Sequence, residues 1–267
     1  MFAKNLFEGK RALVSGGRSG IGYAIAKMML AHGAKVFICS RKAAPLQKAA
    51  AELAAFGECA FMACDIRQSE QIQAMGERIK ELWGGLDILV NNAGGQFPAL
   101  AEYINDKGWN AVINNNLNGT FYMTREMANQ FFIPQKQGII VSVIATINRG
   151  FPGMIHTGAA RAGVENLTKT LAQEWGDFNI RINCVAPGII ESSGLDTYPA
   201  PIQDMFEAAK AGIPKKRFGT VEEVANAVCF LASPLSSYIN GISLYVDGAQ
   251  HLNYDKMGLA KVLRSFM

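Results

Sequence analysis

Two rhythms alternate along this chain. Short, nearly unbroken apolar runs at Arg11–Ser15, Lys35–Ser40, Cys59–Cys64, Leu86–Asn91, Ile139–Ile144, Asn179–Cys184 and Gly241–Val246 predict strands. Longer stretches with apolar residues at helical spacing predict helices over Gly20–Ala31, Ala43–Phe56, Gln68–Leu82, Asp106–Phe132, Thr157–Trp175 and Val221–Ala232. Strands apolar on both faces need helices on both faces. Strict strand–helix alternation therefore predicts a single α/β domain, residues 1–267, with a doubly wound parallel sheet of about seven strands. No linker, repeat or low-complexity segment interrupts it. Such sheets bind ligands beyond the carboxyl ends of their strands, so chemistry is expected just after Ser15, Ser40, Cys64, Val90, Ile144 and Cys184.

The first of these places carries the strongest signal. Ser15-Gly16-Gly17-Arg18-Ser19-Gly20-Ile21-Gly22 joins an apolar strand to a helix. Glycines let the backbone turn tightly and approach a ligand, and the open N–H groups of the helix start face negative charge. The stretch is therefore expected to be a pyrophosphate cradle; the plainer reading is a tight turn. After the second strand, an NAD site places an acidic residue roughly 20 residues past the glycines, on the ribose 2′-hydroxyl. Here Ser40-Arg41-Lys42 stands instead, with Arg18 in the glycine loop. Arginine is the natural partner of a 2′-phosphate, so the cofactor is expected to be NADP(H); the plainer reading of Arg41 and Lys42 is a solvated helix start. Asp65 and Ile66 follow the third strand, where a carboxylate either accepts from the adenine amino group or caps the next helix. Asn91-Asn92-Ala93-Gly94-Gly95 follow the fourth, small enough for backbone to lie on the cofactor, with asparagines able to tie strands together.

Composition adds bounds. The chain is 49% hydrophobic and 18% charged, with net charge +4, an ordinary globular balance with no basic stripe for nucleic acid. Lys215-Lys216-Arg217 is the one basic cluster, read as a solvated run before a helix, or more sharply as a clamp for a phosphate-bearing substrate tail. The five cysteines, without a C-x-x-C, read as small core residues in a reducing compartment. No run approaches the ~18 apolar residues of a membrane span. No signal peptide or peroxisomal Ser-Lys-Leu ending is visible, and a cytoplasmic location is expected.

Motifs then converge. Ser-Gly-x-x-x-Gly-Ile-Gly at 15–22, Asn91-Asn92-Ala93-Gly94, Asn116-Leu117-Asn118-Gly119 and Pro187-Gly188 resemble, in order, those of the short-chain dehydrogenase/reductase family. Within it, Asn91–Phe97, Asn116–Met123 and Gly150–Val164 resemble the branch containing peroxisomal trans-2-enoyl-CoA reductase and its bacterial relatives, some of which act on acyclic terpenoid alcohols and aldehydes. The resemblance implies cofactor contacts from Ser15, Gly16, Arg18 to Gly22, Ser40, Arg41, Lys42, Asp65, Ile66, Asn92, Ala93, Gly94, Arg161, Pro187, Gly188 and Ile189. It also implies a homotetramer built partly on the long helix and the Thr157 helix.

The family's reacting centre is altered. Its Tyr-x-x-x-Lys is Thr157 and Arg161 here, and its serine falls on Ile144 or Ala145; only Asn116 survives. A threonine is a far weaker acid than a phenol, and losing a general acid costs roughly 10²–10⁴ in rate. Arginine keeps the charge and can hold ribose hydroxyls. Reduction of a conjugated thioester makes another demand: donors aimed at the oxygen where enolate charge gathers. Asn116, His156, Thr157 and Arg161 are the catalytic candidates, with Arg161 assigned to ribose and enolate electrostatics. For His156 a helix-start residue bonded to backbone, and for Thr157 a helix cap, are the plainer readings. Residues 189–214 read as a substrate lid; Ile189, Leu195, Met205 and Phe206 with Phe97, Phe151 and Met154 are candidates to line an apolar acyl or prenyl site. Residues 251–267 read as an amphipathic tail. The expected activity is NADPH-dependent enoyl-CoA reduction; the alternatives are an alcohol/aldehyde dehydrogenase or 3-oxoacyl reductase, and a catalytically silent NADP-binding sensor or scaffold.

Overall fold

A computed structural model describes residues 2–192 and 208–252. Seven strands form one parallel sheet: β1 (Arg11–Ser15), β2 (Lys35–Ser40), β3 (Cys59–Ala63), β4 (Ile88–Asn91), β5 (Gly138–Val143), β6 (Ile180–Pro187) and β9 (Ser243–Val246). Their order is β3-β2-β1-β4-β5-β6-β9, so the chain starts in the middle, winds outward, then crosses back to wind the other way. The crossover between β1 and β4 opens the crevice where such folds bind ligands. Two short strands, β7 (Ile190–Glu191) and β8 (Gly219–Thr220), pair separately beside the β6 exit.

Helices α1 (Gly20–Ala31), α2 (Ala43–Leu53) and α8 (Val221–Ala232) cover one face; α3 (Ser69–Trp83), α5 (Gly119–Met127) and α7 (Ile155–Glu174) cover the other. Val14, Ile38, Val90 and Val141 point into the first core, Leu13, Phe37, Leu89 and Ile140 into the second, all fully buried. That alternation explains the apolar strands: each successive side chain meets a different helix layer. No described helix is long and apolar enough to cross a membrane.

The doubly wound α/β reading holds, with shifted edges. The long helix continues beyond Phe132 through α4 (Asp106–Ile113), α5 and α6 (Ile133–Gln135), joined by π-helical turns at Asn114–Asn118 and Ala128–Phe132. It stops where Lys136 turns left-handed at φ +48°. α2 ends at Leu53, short of Phe56. β6 begins after Asn179, left-handed at φ +54°, and runs past Cys184 to Pro187 because Ala186 and Pro187 pair with β9. β9 starts at Ser243, since Gly241 sits at φ +80°. α7 begins at Ile155, not Thr157; Met154 stands at its cap position, so Thr157 does not cap it. Most of the expected lid, with Leu195, Met205 and Phe206, and the tail beyond Leu252 lie outside the described residues.

Candidate active site

One cleft of about 950 Å³ runs along the carboxyl ends of β1 to β6, from Arg18 and Arg41 at one end to Arg161 and Gln250 at the other. At the first end Gly16 turns left-handed at φ +70°, and a side chain there would press on Asn92 and Ala93. α1 has neither an acidic residue in its first turn nor a side-chain cap, so its positive end is left for a ligand's anion. The Ser40 hydroxyl is buried without a hydrogen-bond partner on this same wall. Arg18, Arg41 and Lys42 stand beside it, exposed. An orphaned hydroxyl, three cations on the same wall and an open helix end fit a dinucleotide.

Asp65 is placed otherwise than either expectation. Its carboxylate takes the Arg67 guanidinium at 2.5 and 2.8 Å, which holds its pKa below the usual range, and Gln68, not Asp65, precedes α3. Ile66 and Cys64 line the cleft; Asp65 does not.

The paired asparagines tie the sheet at the cleft's centre. Asn92 Nδ2 donates to the carbonyls of Ser15 and Gly16, and the Ser15 hydroxyl accepts from the Asn92 and Ala93 N–H groups. Asn91 Nδ2 donates to Thr124 at 2.9 Å. β1, β4 and α5 are thus locked where the cofactor must cross them.

At the far end Arg161 is 8% exposed and lies on the cleft wall. Nη1 donates to the Val143 carbonyl at 3.1 Å, and a side chain on Gly94 would collide with Nη2. No carboxylate of the described residues pairs with it, and burial lowers its pKa to about 10, leaving it charged at neutral pH. A buried cation without a counter-charge is costly unless a ligand supplies one. His156 is fully buried one helical turn earlier. Its Nδ1 lies 2.8 Å from the Thr157 backbone nitrogen, and its Nε2 has no partner. Burial lowers its pKa, a backbone contact at Met154 opposing this in part. Its ring meets the Phe97 ring edge-on at 4.6 Å. Thr157 is fully buried, its hydroxyl 3.4 Å from the same Nδ1.

Asn116 sits in the first π-helical turn with both amide hydrogens and its oxygen engaged. Nδ2 donates to Gly95 and Val112 carbonyls at 2.7 and 2.9 Å, and Oδ1 accepts from the Gly95 N–H at 3.2 Å. It fastens the loop above Arg161 and does not itself reach the cleft; its neighbour Asn115 does. Of the apolar candidates, Ile189, Phe151 and Met154 line the cleft, whereas Phe97 packs on His156. Thr146 and Gln250 also line it and were not anticipated. Thr146 lies just past the ambiguous serine position; Gln250 follows the seventh strand, whose carboxyl end the strand-end rule covers equally. Lys215–Arg217 does not line this cleft: Arg217 forms a bidentate pair with Glu223, which also closes the N-terminus of α8 in a capping box.

A doubly wound sheet with a glycine cradle, an open helix end and a cation-flanked ribose pocket defines a nicotinamide-dinucleotide oxidoreductase. The family model described as enoyl-(acyl carrier protein) reductase matches residues 16–251, and the chain belongs to the short-chain dehydrogenase/reductase family. A probable 2,4-dienoyl-CoA reductase of Bacillus subtilis is 38% identical over 255 residues, covering 92% of this chain and 98% of its own length. The peroxisomal 2,4-dienoyl-CoA reductase of Rattus norvegicus is 38% identical over 253 residues, with coverages of 93% and 86%. The solved structure of a citronellol catabolism dehydrogenase from Pseudomonas aeruginosa superimposes with a TM-score of 0.84 at 39% identity, over 94% of this chain and 98% of that one.

Proposed function

We propose that this chain is an NADPH-dependent reductase of α,β-unsaturated acyl thioesters of the trans-2-enoyl-CoA type. The observation that carries this reading is Arg161, a buried guanidinium without a carboxylate, set on the cleft wall where a phenol-based site would have its lysine. NADPH held here would supply a hydride for the substrate's β-carbon; the electron pair of the double bond would gather on the thioester oxygen, and the α-carbon would then take a proton from water. Arg161, on the cleft wall, is the donor assigned to that oxygen and to the nicotinamide ribose; His156, fully buried and off the cleft lining, is assigned a positioning role at the start of α7. Thr157 holds the His156 ring, and Asn116 holds the Gly94–Gly95 loop over the guanidinium. Fixed donors of this kind act on charge as it develops, without a proton donor as acidic as tyrosine. At the other end Ser40, Arg41, Lys42 and Arg18 take the 2′-phosphate. Gly16, Ser19, Gly20, Ile21 and Gly22 take the pyrophosphate, while Ile66, Asn92, Ala93, Pro187, Gly188 and Ile189 line its path. Asp65 is left out of this set, since Arg67 holds its carboxylate and Gln71 and Gln68 hold its backbone groups.

The 39% identity to a citronellol catabolism dehydrogenase favours a second reading, oxidation or reduction of an acyclic terpenoid alcohol or aldehyde. One experiment separates them: NADPH oxidation is followed in parallel with a trans-2-enoyl-CoA, a 3-oxoacyl-CoA and a branched terpenoid aldehyde. The enoyl thioester is expected to turn over fastest. A higher kcat/KM on the aldehyde would install the second reading, and tight NADPH binding without turnover on any of the three would leave a silent binding protein. The subunits are proposed to form a homotetramer through the α4–α5 and α7 faces, which light scattering tests directly.

A further inference from the structure

The turn after β9 is strained, and a buried carboxylate maintains the strain. Gly248 and Ala249 are both left-handed, at φ +61° and +67°, a conformation that alanine adopts only at a cost. Asp247, its side chain 2% exposed, braces the turn with both oxygens. Oδ1 accepts the Ala249 N–H at 3.0 Å, and Oδ2 accepts the His251 N–H and the His251 Nδ1–H, each at 2.8 Å. The His251 ring stacks on Tyr245 with centroids 4.1 Å apart. The product of this bracing is the placement of Gln250. Its Oε1 lies against Gly188, where a Cβ would come within 2.7 Å, and accepts the Ile189 N–H at 3.4 Å. Gln250 lines the cleft, and its amide nitrogen makes no hydrogen bond among the described residues.

Gln250 follows β9, which β6 separates from β5 and from the Val143 carbonyl that anchors Arg161. A coenzyme A or carrier-protein thioester has a second carbonyl besides that of the thioester, the amide of its cysteamine arm. We propose that Gln250 recognises that arm amide, its Nε2–H₂ donating to the amide carbonyl, and that Asp247 and His251 are positioning residues for it. This rests on the acyl-thioester reading above and adds the part of the substrate that is recognised.

The experiment compares one enoyl group carried on coenzyme A, on N-acetylcysteamine and on ethanethiol, which lacks the amide. Gln250→Leu is expected to raise KM about tenfold on the first two with kcat nearly unchanged, to leave the ethanethiol ester unaffected, and to leave the NADPH Kd within about twofold. Equal losses on all three esters, no loss on any, or a parallel loss of NADPH affinity would each overturn the assignment. His251→Ala is expected to give the same selective KM rise at smaller size, and His251→Asn, which restores an N–H donor to Asp247, to reverse it. If the wild type reduces no enoyl thioester, the function falls; binding of a saturated acyl-CoA to the NADP⁺ complex, weakened tenfold by Gln250→Leu, still decides this inference, and unchanged binding rejects it.

Discussion

The two ends of the cleft handle positive charge in opposite ways. At the Arg18–Arg41 end the cations are exposed, and the carboxylate that acts on Arg41, Asp65, is engaged by Arg67. At the Arg161 end a single guanidinium is sealed from solvent with a backbone carbonyl as its anchor. Exposed charge costs the fold little and is screened by salt; sealed charge costs several kcal/mol and is strengthened by its low-dielectric surroundings. The first end can therefore only select a ligand, while the second can drive a reaction on it.

The sharpest way to break this contrast is at Arg161. Arg161→Met removes the charge and keeps the volume. It is expected to lower kcat/KM for the enoyl thioester about 10²–10³-fold, the range measured for removal of a preorganised donor. The same variant is expected to have a higher Tm in the cofactor-free state, because an uncompensated buried charge disappears. Differential scanning calorimetry beside steady-state kinetics reads both. A variant that loses stability and keeps activity would place Arg161 in the scaffold and leave the cleft without a charged reacting end.

At the exposed end the effect is smaller and of another kind. Arg18→Ala with Arg41→Ala removes two charge-assisted contacts, worth at the exposed end about 1.5 kcal/mol each, so NADPH binding is expected to weaken about 10²-fold. NADH binding should hardly move, and the NADPH loss should shrink as salt is raised. Fluorescence titration of both cofactors at two ionic strengths checks this. An unchanged NADPH/NADH ratio would remove the 2′-phosphate reading.

The same contrast explains what the sequence made legible. The glycine turn, Asn91-Asn92 and the missing acid after β2 are local features whose chemistry depends on neighbours a few residues away, and the fold follows from apolar strands that need two helix layers. The Arg161 end is assembled from Gly94, Asn116, Val143 and Arg161, which lie on four separate parts of the chain, so no local pattern reports which side chains face the ligand. Asn116 and Asn115 are adjacent in sequence, yet a π-helical turn seats Asn116 in the scaffold and Asn115 on the cleft. Asp65 is a similar case: Arg67, two residues on, turns back onto its carboxylate, and a charge pair across one turn leaves no periodic mark.

His156 sharpens the comparison from within the sealed end, with an effect of about tenfold. His156→Phe keeps the ring and its packing on Phe97 but removes the Nδ1 contact to the Thr157 N–H at the start of α7, and kcat is expected to fall by about one hydrogen bond's worth, roughly 1–1.5 kcal/mol. Burial depresses the His156 pKa below its ordinary 6.5, so the group is neutral at pH 7. The unfolded chain binds this proton more readily than the folded one. His156 therefore contributes stability that is present above pH 6.5 and is lost as the pH falls toward its folded value. Chemical denaturation at a series of pH values should show the wild type losing stability below that point and His156→Phe losing less. Parallel curves would mean that the ring is hydrated in solution.

The smallest expected effect tests whether the exposed end is as weakly coupled as its solvation implies. Arg67→Ala releases the Asp65 carboxylate, which then stands free beside Arg41. The Asp65–Arg67 pair is partly solvent-exposed, with side chains 18% and 36% accessible, so its loss by itself should cost the fold well under about 1 kcal/mol. The freed carboxylate either repels the cofactor's 2′-phosphate through Arg41 or accepts the adenine amino group. Repulsion weakens NADPH by about threefold and leaves NADH alone, whereas an adenine contact strengthens both cofactors equally. Repulsion is the outcome expected from charges that already act on one another in the folded protein. The sign of the change in the NADPH/NADH ratio, measured at low salt where a threefold effect is resolvable, therefore reports whether this end selects by field or by contact.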